Sequence, residues 1–221
     1  AWVNTLAATA SAMLGWLIVE KFRDGHPTSL GAASGIVAGL VAITPAAGSV
    51  DPLGALAIGV LAGIACAYAV GLKYKFGYDD SLDVVGVHLV GGLVGTLLIG
   101  FFASPLAMTT IADGDDPTKA HAEGVAGPFY GGGFDQLGKQ AIGAFAVMAY
   151  SAVVTYLIAL IIKHTIGWRI STTDEVSGID LVEHSEAGYD LSPVYYTNKV
   201  QRTLVLSKDD LPEIEKSGAA K

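Results

Sequence analysis

The sequence predicts an all-α fold, a polytopic bundle of transmembrane helices, and three observations support this prediction. Of the 221 residues, 52% are hydrophobic. Only 15% are charged, whereas a typical soluble domain has about 25% charged residues. The chain also contains 28 glycines, and frequent glycine within apolar helices is typical of close helix packing in lipid.

Five apolar segments are long enough to cross a bilayer, which takes roughly 20 residues. None of them contains Asp, Glu, Lys or Arg. The predicted helices cover residues 2–19, 29–47, 53–72, 84–106 and 141–162. Glycines recur four residues apart in three of these segments, which favours close approach of helix backbones. They are Gly31, Gly35 and Gly39, then Gly59 and Gly63, then Gly91 and Gly95.

The basic residues near the helix ends predict how the helices are oriented. One side of the membrane has Lys21, Arg23, Lys73, Lys75, Lys163 and Arg169, whereas the other has Lys119 and Lys139. We therefore expect a multi-pass protein of the plasma (inner) membrane with a cytoplasmic C-terminus and an external N-terminus. The expected division is a transmembrane domain over 1–165 and a cytoplasmic tail over 166–221. Because the chain starts outside and within a helix, we also expect an N-terminal portion before it.

Other functional classes are not favoured by the sequence. The net charge is −8 and no basic stripe is present, so binding to nucleic acid is not expected. The single cysteine, Cys66, excludes an internal disulfide framework. The predicted helices contain one histidine, His88, without a second metal ligand, acid or nucleophile at catalytic spacing. We therefore expect no catalytic residue, metal site or cofactor.

His88 lies in the fourth predicted helix, within an otherwise apolar run. On an α-helix it shares a face with Val84, Gly91, Gly92 and Gly95. A face without bulky side chains leaves space for another helix or for a narrow lumen. Ionisable residues inside a membrane usually mark a pathway or a proton relay. The alternative is a neutral imidazole that hydrogen-bonds across a helix interface, and the residues by themselves leave both interpretations open.

Three acidic residues, Asp79, Asp80 and Asp83, precede this helix on its predicted cytoplasmic side. Asp83 falls in the first turn, where a carboxylate can accept hydrogen bonds from free backbone N–H groups. The positive end of the helix dipole also stabilises a negative charge there. We therefore predict that Asp83 caps the helix. A secondary effect is a negative potential at a cytoplasmic mouth, which would attract cations.

Four stretches resemble the ammonium transporter family, Amt/Mep/Rh, in the order and spacing of that family. "DDSLDVVGVHLVGGLVGTLLIGFFA" over 79–103 resembles the D-x-x-G-V-H motif of the tenth helix. "GAASGIVAGLVAITPAAGSVDPLGALAIGVLAG" over 31–63 resembles the family's G-A-x-S-G-x-x-A-G-L-V-x-x-T-P-A-x-G segment and the helix after it. "AWVNTLAATASAMLGW" over 1–16 resembles the helix that precedes it, and "GWRISTTDEVSGIDLVEHSEAGY" over 167–189 resembles the cytosolic tail.

This resemblance implies a transport function. Family members have eleven helices and form trimers, and this chain resembles helices seven to eleven plus the tail. His88 corresponds to one member of a two-histidine pair in an apolar pore, with Val84 beside it. Thr44 is expected near the pore wall, or to hold the helix end by hydrogen bonding. The expected function is transport of ammonium, with deprotonation and passage of ammonia along the pore in the lipid bilayer.

The resemblance also implies a regulatory tail. Its matched residues are Arg169, Gly178, Asp180, His184 and Tyr189. In the family, this segment lies beneath the trimer and receives a PII-type signalling protein at the cytoplasmic face. The chain differs from the family at "SGID" and "HSEAGY", which affects the expected details of regulation. The alternative function is an ammonium sensor of the same fold that signals through its tail.

Overall fold

The structure is a computed structural model, and it describes residues 1–105, 107, 110–113, 116–122 and 124–186. It confirms the predicted helical bundle. The chain divides into two compact units, residues 1–160 and residues 161–221. The division falls five residues before the boundary that the sequence predicted.

The described residues form eight α-helices: α1 (Trp2–Arg23), α2 (Ser29–Ile43), α3 (Pro52–Ala69), α4 (Leu72–Phe76), α5 (Val90–Phe102), α6 (Asp135–Thr165), α7 (Thr172–Ser177) and α8 (Ile179–His184). A π-helical turn (Val84–Leu89) precedes α5, and a short 3-10 helix (Pro128–Tyr130) precedes α6. Between α5 and α6 an antiparallel hairpin pairs β1 (Thr110–Asp113) with β2 (Asp116–Ala122). The hairpin lies between the fourth and fifth predicted helices, outside both.

Four helical segments are long and apolar enough to cross a membrane: Trp2–Arg23, Pro52–Phe76, Val84–Phe102 and Asp135–Thr165. Helix α2 is apolar but has only 15 residues, fewer than the roughly 20 that span a bilayer. It ends at Ile43; Thr44 still has the α conformation and its backbone N–H donates to the carbonyl of Leu40, but Pro45 has no backbone N–H with which to make the next helical hydrogen bond. The N–H groups of Ala46 and Ala47 both donate to the carbonyl of Ile43, so a tight turn replaces the predicted end of the helix.

Glycines bring α1, α2 and α3 into close backbone contact, as the four-residue spacing predicted. A β-carbon on Gly63 would overlap the backbone carbonyl of Ala12 in α1, and one on Gly59 would overlap that of Ala8. Gly39 of α2 lies against the same part of α1. Such close approach maximises van der Waals contact where the surrounding lipid provides no hydrophobic force. The core of the bundle therefore consists mainly of small residues.

Polar side chains of α1 tie this helix to its neighbours. The Nδ2 group of buried Asn4 donates to the carbonyls of Ala47 and Val50, at 2.9 and 2.7 Å. The hydroxyl of Ser11 donates to the carbonyl of Leu56 in α3 at 3.0 Å. These side chains satisfy backbone acceptors on two other segments, so they fix where α1 lies along the bundle.

Helix α1 extends to Arg23, beyond the predicted end at residue 19, so the expectation of a helix without charged residues was wrong. Glu20 is buried, at 8% exposure. Its carboxylate accepts hydrogen bonds from the indole N–H of Trp16 at 3.2 Å and from the backbone N–H of Thr28 at 2.8 Å. Thr28 caps α2 by accepting from the N–H of Gly31. A buried carboxyl group is tolerated here because hydrogen-bond donors surround it, and Glu20 joins the end of α1 to the start of α2.

At the opposite end of the bundle, Asp51 and Tyr130 form a hydrogen bond that holds the segment after the hairpin. Asp51 caps α3 by accepting from the N–H of Gly54 at 2.8 Å, and its second oxygen accepts from the hydroxyl of Tyr130. Burial raises the pKa of Asp51, but these hydrogen bonds outweigh that effect and leave the pKa below its usual value. Burial, together with the same hydrogen bond, raises the pKa of Tyr130 to about 12. The adjacent Phe129 ring stacks on Phe102 of α5.

This hydrogen bond predicts an alkaline effect on stability. Tyr130→Phe should lower the unfolding temperature of the protein at pH 8, because Asp51 loses a donor. The folded-state pKa of Tyr130, about 12, lies above the ordinary value of 10.0. The stabilisation is therefore fully present below pH 10 and is lost as the pH rises toward 12. Thermal unfolding across this range should show the two proteins converging, and a difference independent of pH would contradict the assignment.

In the described part of the second unit, residues 161–186, two short helices follow Gly167. Ser171 caps α7 by accepting from the N–H of Asp174 at 3.1 Å, and Arg169 pairs with Glu175 at 3.3 Å. Gly178 lies between α7 and α8 with φ of +105°, a conformation that glycine adopts without steric cost. Asp180 lies in the first turn of α8 and His184 in its last turn. Tyr189 lies outside the described residues.

Candidate functional site

A concave cleft of about 1080 Å³ lies in the first unit. One wall consists of the π turn, α5 and the end of α2, and the facing wall is α6. Most of the lining is apolar, and the polar groups in it are few. They include His88, Thr44, Thr96, Gln140, Ser151 and Thr155. Pockets of this kind, apolar with a few converging polar groups, are typical ligand sites.

The structure brings two of the three predicted pore residues together. His88 and Thr44 both line the cleft, and the hydroxyl of Thr44 donates to the carbonyl of Leu40 at 2.6 Å. Val84 does not line the cleft, although it is half-exposed. Its neighbour Val85 takes that position instead.

Four residues were predicted to share the face of His88, and only one of them, Gly92, lines the cleft with it. The prediction was wrong for Val84, Gly91 and Gly95. The cleft is lined by His88 together with Val85, Leu89, Gly92, Leu93 and Thr96. Gly91 and Gly95 are buried on another side of α5. A β-carbon on Gly95 would overlap the carbonyl of Ala42 in α2, and one on Gly91 would contact Cys66. These glycines therefore provide helix packing, and only Gly92 leaves open space beside His88.

The π turn explains part of this difference. The N–H of Val90 donates to the carbonyl of Val85, five residues earlier, whereas an α-helix uses the residue four earlier. The extra residue in the turn changes the angular position of Val84 relative to α5. Gly86 allows the turn to lie directly against Val70 at the end of α3. A face assigned with uniform α-helical spacing is therefore displaced at this point.

Asp80 caps this turn, and the prediction that Asp83 does so was wrong. The Asp80 carboxylate accepts from the N–H groups of Val84 at 2.8 Å, Val85 at 3.0 Å and Gly86 at 3.4 Å. Asp83 has φ of +56° and its carboxylate makes no capping hydrogen bond. That carboxylate instead pairs with Lys73 at 2.7 Å.

The acidic segment lies at the end of the bundle that also holds basic residues of α1 and α4. Arg23, Lys73 and Asp83 line one small pocket of about 360 Å³. Lys73 also donates to the backbone carbonyl of Asp80 at 3.0 Å. Asp79 is exposed. The structure therefore groups Asp80 and Asp83 around one lysine, so part of the negative charge predicted here is neutralised.

Sequence reasoning missed the polar residues of α6 that face His88 across the cleft. Gln140, Ser151 and Thr155 lie on one side of this helix, which begins at Asp135 and has no buried residue. Their spacing of eleven and four residues corresponds to about three turns and one turn of an α-helix. That periodicity was visible in the sequence and could have identified the face of α6 that lines the cleft.

The chain is similar to ammonium transporters in sequence and in structure. Residues 1–189 match the sequence profile described as Ammonium Transporter Family. A protein of Mycobacterium tuberculosis named "Ammonium transporter" is 59% identical over 192 residues, which are 86% of this chain and 38% of that protein. The crystal structure of Saccharomyces cerevisiae Mep2 superposes with a TM-score of 0.67 and 34% identity, over 77% of this chain and 37% of that one.

A structure titled "Sensor Amt Protein" is also similar, with a TM-score of 0.66 and 30% identity over 82% of this chain and 40% of that one. The chain spans about two fifths of the length of the curated relatives that it matches. The profile covers 189 of the 221 residues, with the apolar cleft and its histidine inside the matched range. This multi-pass membrane chain belongs to the Ammonium Transporter Family.

Proposed function

We propose that this chain forms part of an ammonium transporter, and that the wall of the cleft bearing His88 is one side of the conduction path. The observation that carries the proposal is the placement of His88 and Thr44 in a mainly apolar cleft between membrane-spanning helices. Membership of the Ammonium Transporter Family and the names of the relatives support ammonium as the substrate.

The physical chemistry of the cleft favours passage of a neutral molecule. Moving an unpaired ion into an apolar medium carries a large desolvation cost, which ammonia does not have. Imidazole nitrogens donate or accept hydrogen bonds according to their protonation. His88 is therefore suited to hydrogen-bond ammonia after ammonium has lost its proton, and a histidine relay could carry that proton. Potassium has no proton to release and would be rejected.

Further features of the proposal come from the resemblance to the family. The chain corresponds to helices seven to eleven and the tail, so the other wall of the pore belongs to a part of the protein outside these residues. Asp79, Asp80 and Asp83 lie at the cytoplasmic mouth. The basic end of the bundle, with Arg23 and Lys73, supports an orientation in which the C-terminus is cytoplasmic. The protein is proposed to lie in the plasma (inner) membrane.

The proposal extends to assembly and regulation. The subunit forms a homotrimer, and residues 166–221 form a cytoplasmic tail that receives a PII-type signalling protein. Within the tail, the matched residues are Arg169, Gly178, Asp180, His184 and Tyr189. An ammonium sensor remains the alternative function. The likeness to the sensor structure does not exceed the likeness to Mep2, so transport is the function that we propose.

Transport should require more than these residues. In this chain the cleft is open and α6 has no buried residue, so an isolated chain cannot enclose a path. We expect ammonium-driven currents in proteoliposomes that contain the full-length protein, and none with residues 1–221 alone. Empty liposomes are the control. Currents from the isolated chain, or a full-length protein that folds and does not conduct ammonium, would contradict the proposal.

A further inference from the structure

We propose that Asp80 is a positioning residue for His88, because its carboxylate holds the π turn Val84–Leu89 in the register that directs His88 into the cleft. The inference rests on the proposed function, since it assigns a residue that supports the same site. Asp80 does not line the cleft that contains His88. Its effect passes through the backbone of the turn.

The contacts of Asp80 account for the start of this turn. The first N–H groups of a helix have no acceptor within the helix, and here three consecutive groups point to one carboxylate. Oδ1 accepts from Val84 at 2.8 Å, while Oδ2 accepts from Val85 at 3.0 Å and Gly86 at 3.4 Å. Hydrogen bonds to a charged acceptor are stronger than neutral ones. Asp80 is therefore the principal side-chain support for the first half of the turn.

Asp83 and Lys73 complete the support from outside the turn. Asp83 has φ of +56°, a left-handed conformation that few residues other than glycine adopt, although aspartate adopts it more often than most. Its carboxylate pairs with Lys73 at 2.7 Å, and Lys73 also donates to the carbonyl of Asp80 at 3.0 Å. One lysine thus links the capping residue to the left-handed residue that precedes the turn. This arrangement favours the left-handed conformation of Asp83, from which the π turn begins.

The register of the turn decides where His88 lies. Val90 donates to Val85 in the π pattern, and conversion of this turn to an α-helix would remove one residue from it. At 3.6 residues per turn, one residue corresponds to a rotation of about 100° around the helix axis. Helix α5 is fixed by Gly95 against Ala42, so a change of register moves the segment that carries His88. The imidazole would then leave the cleft or adopt more than one orientation in it.

Asp80→Asn is the sharpest test, because it is nearly isosteric and removes one acceptor. An amide keeps one oxygen for Val84, but its NH2 group cannot accept from Val85 and Gly86. The experiment uses the full-length protein with ring-¹⁵N histidine, and His88→Gln identifies the signals of His88. In Asp80→Asn, we expect these signals to shift and broaden. The ratio of ammonium to potassium current should fall by at least about tenfold, since charge-assisted hydrogen bonds are lost.

The matched control is Asp24→Asn, which removes one carboxylate at the same end of the bundle, where Asp24 pairs with Arg23. It should leave the His88 signals and the current ratio unchanged. If Asp80→Asn does not fold, Asp80→Glu keeps two acceptors on a longer side chain and should shift the same signals with partial retention of selectivity. His88 signals that match wild type in folded Asp80→Asn, or in folded Asp80→Glu when the amide variant does not fold, would overturn the inference.

Failure of this inference can be distinguished from failure of the proposed function. His88→Asp, assayed in parallel, tests whether His88 controls conduction at all. If it changes the current ratio while Asp80→Asn leaves the His88 signals unchanged, the positioning role is wrong and the pore assignment stands. If His88→Asp leaves the ratio unchanged in a folded protein, the proposed function of His88 is wrong, whatever the signals show.

Discussion

Replacing Gly63 with leucine should prevent α1 and α3 from packing, and the full-length protein should lose most of its folded population. Even a β-carbon at this position would overlap the backbone carbonyl of Ala12. A backbone cannot move aside as a flexible side chain can, so the two helices must separate along their length. Overpacking in well-packed interiors costs about 1–3 kcal/mol and occasionally more. We expect the free energy of unfolding to fall by about 3 kcal/mol or more at this site.

The matched control is Gly138→Leu, the same glycine-to-leucine substitution at a position in α6. No heavy atom lies within 4 Å of a β-carbon at Gly138, and leucine is a better helix former than glycine. Unfolding of both variants in detergent, followed by circular dichroism during titration with a denaturing detergent, measures the difference. Equal stability of the two variants would show that the close contact between α1 and α3 is wrong.

The second large effect is expected at His88. His88→Asp places an acidic side chain in an apolar cleft, where the neighbouring polar groups include Thr44 and Thr96. A fixed negative charge offsets part of the desolvation cost of a cation, so potassium should begin to permeate. We expect the ratio of ammonium to potassium current in reconstituted full-length protein to fall by at least about tenfold, which corresponds to about 1.4 kcal/mol.

His88→Gln separates this role from a packing role. Glutamine is similar in size and forms hydrogen bonds, but it cannot take up a proton near neutral pH. If His88 lies along the pathway, the glutamine variant should assemble normally and conduct differently from wild type. If His88 only holds two helices together, both variants should keep wild-type selectivity whenever they fold. That second result would show that His88 has a structural role and does not control which ions pass.

The fold was predictable because membrane helices have a simple signature. Segments without charge and about 20 residues long are typical of spanning helices, and the fold class followed from them. The four-residue spacing of Gly59 and Gly63 predicted close packing, and the structure shows both against α1. Family membership was also predictable, since the D-x-x-G-V-H stretch around His88 and the T-P-A-x-G stretch around Thr44 are specific motifs.

The details around His88 were not predictable from uniform helical periodicity. The turn Val84–Leu89 is π-helical, and Asp83 before it is left-handed without being glycine. The π turn has no marker in the local sequence, and aspartate adopts the left-handed conformation too rarely for the sequence to predict it at Asp83. Because the π turn displaces the register, Asp80 caps the turn where Asp83 was predicted to do so. For the same reason, Val85 and Leu89 line the cleft beside His88. Tertiary contacts decided these positions, including the approach of Gly86 to Val70.

The most direct measurement of whether His88 faces the conduction path is chemical modification during current recording. His88→Cys and Val87→Cys are each made in full-length protein that also carries Cys66→Ala, which removes the native thiol. Val87 is the control because it is adjacent to His88 and only 5% exposed. A small neutral reagent, methyl methanethiosulfonate, adds a thiomethyl group to an accessible thiol. We expect it to block the ammonium current that remains in the His88→Cys protein and to leave the Val87→Cys protein unaffected. An unblocked current in the first protein, or a block only in the second, would contradict a pore wall formed by His88.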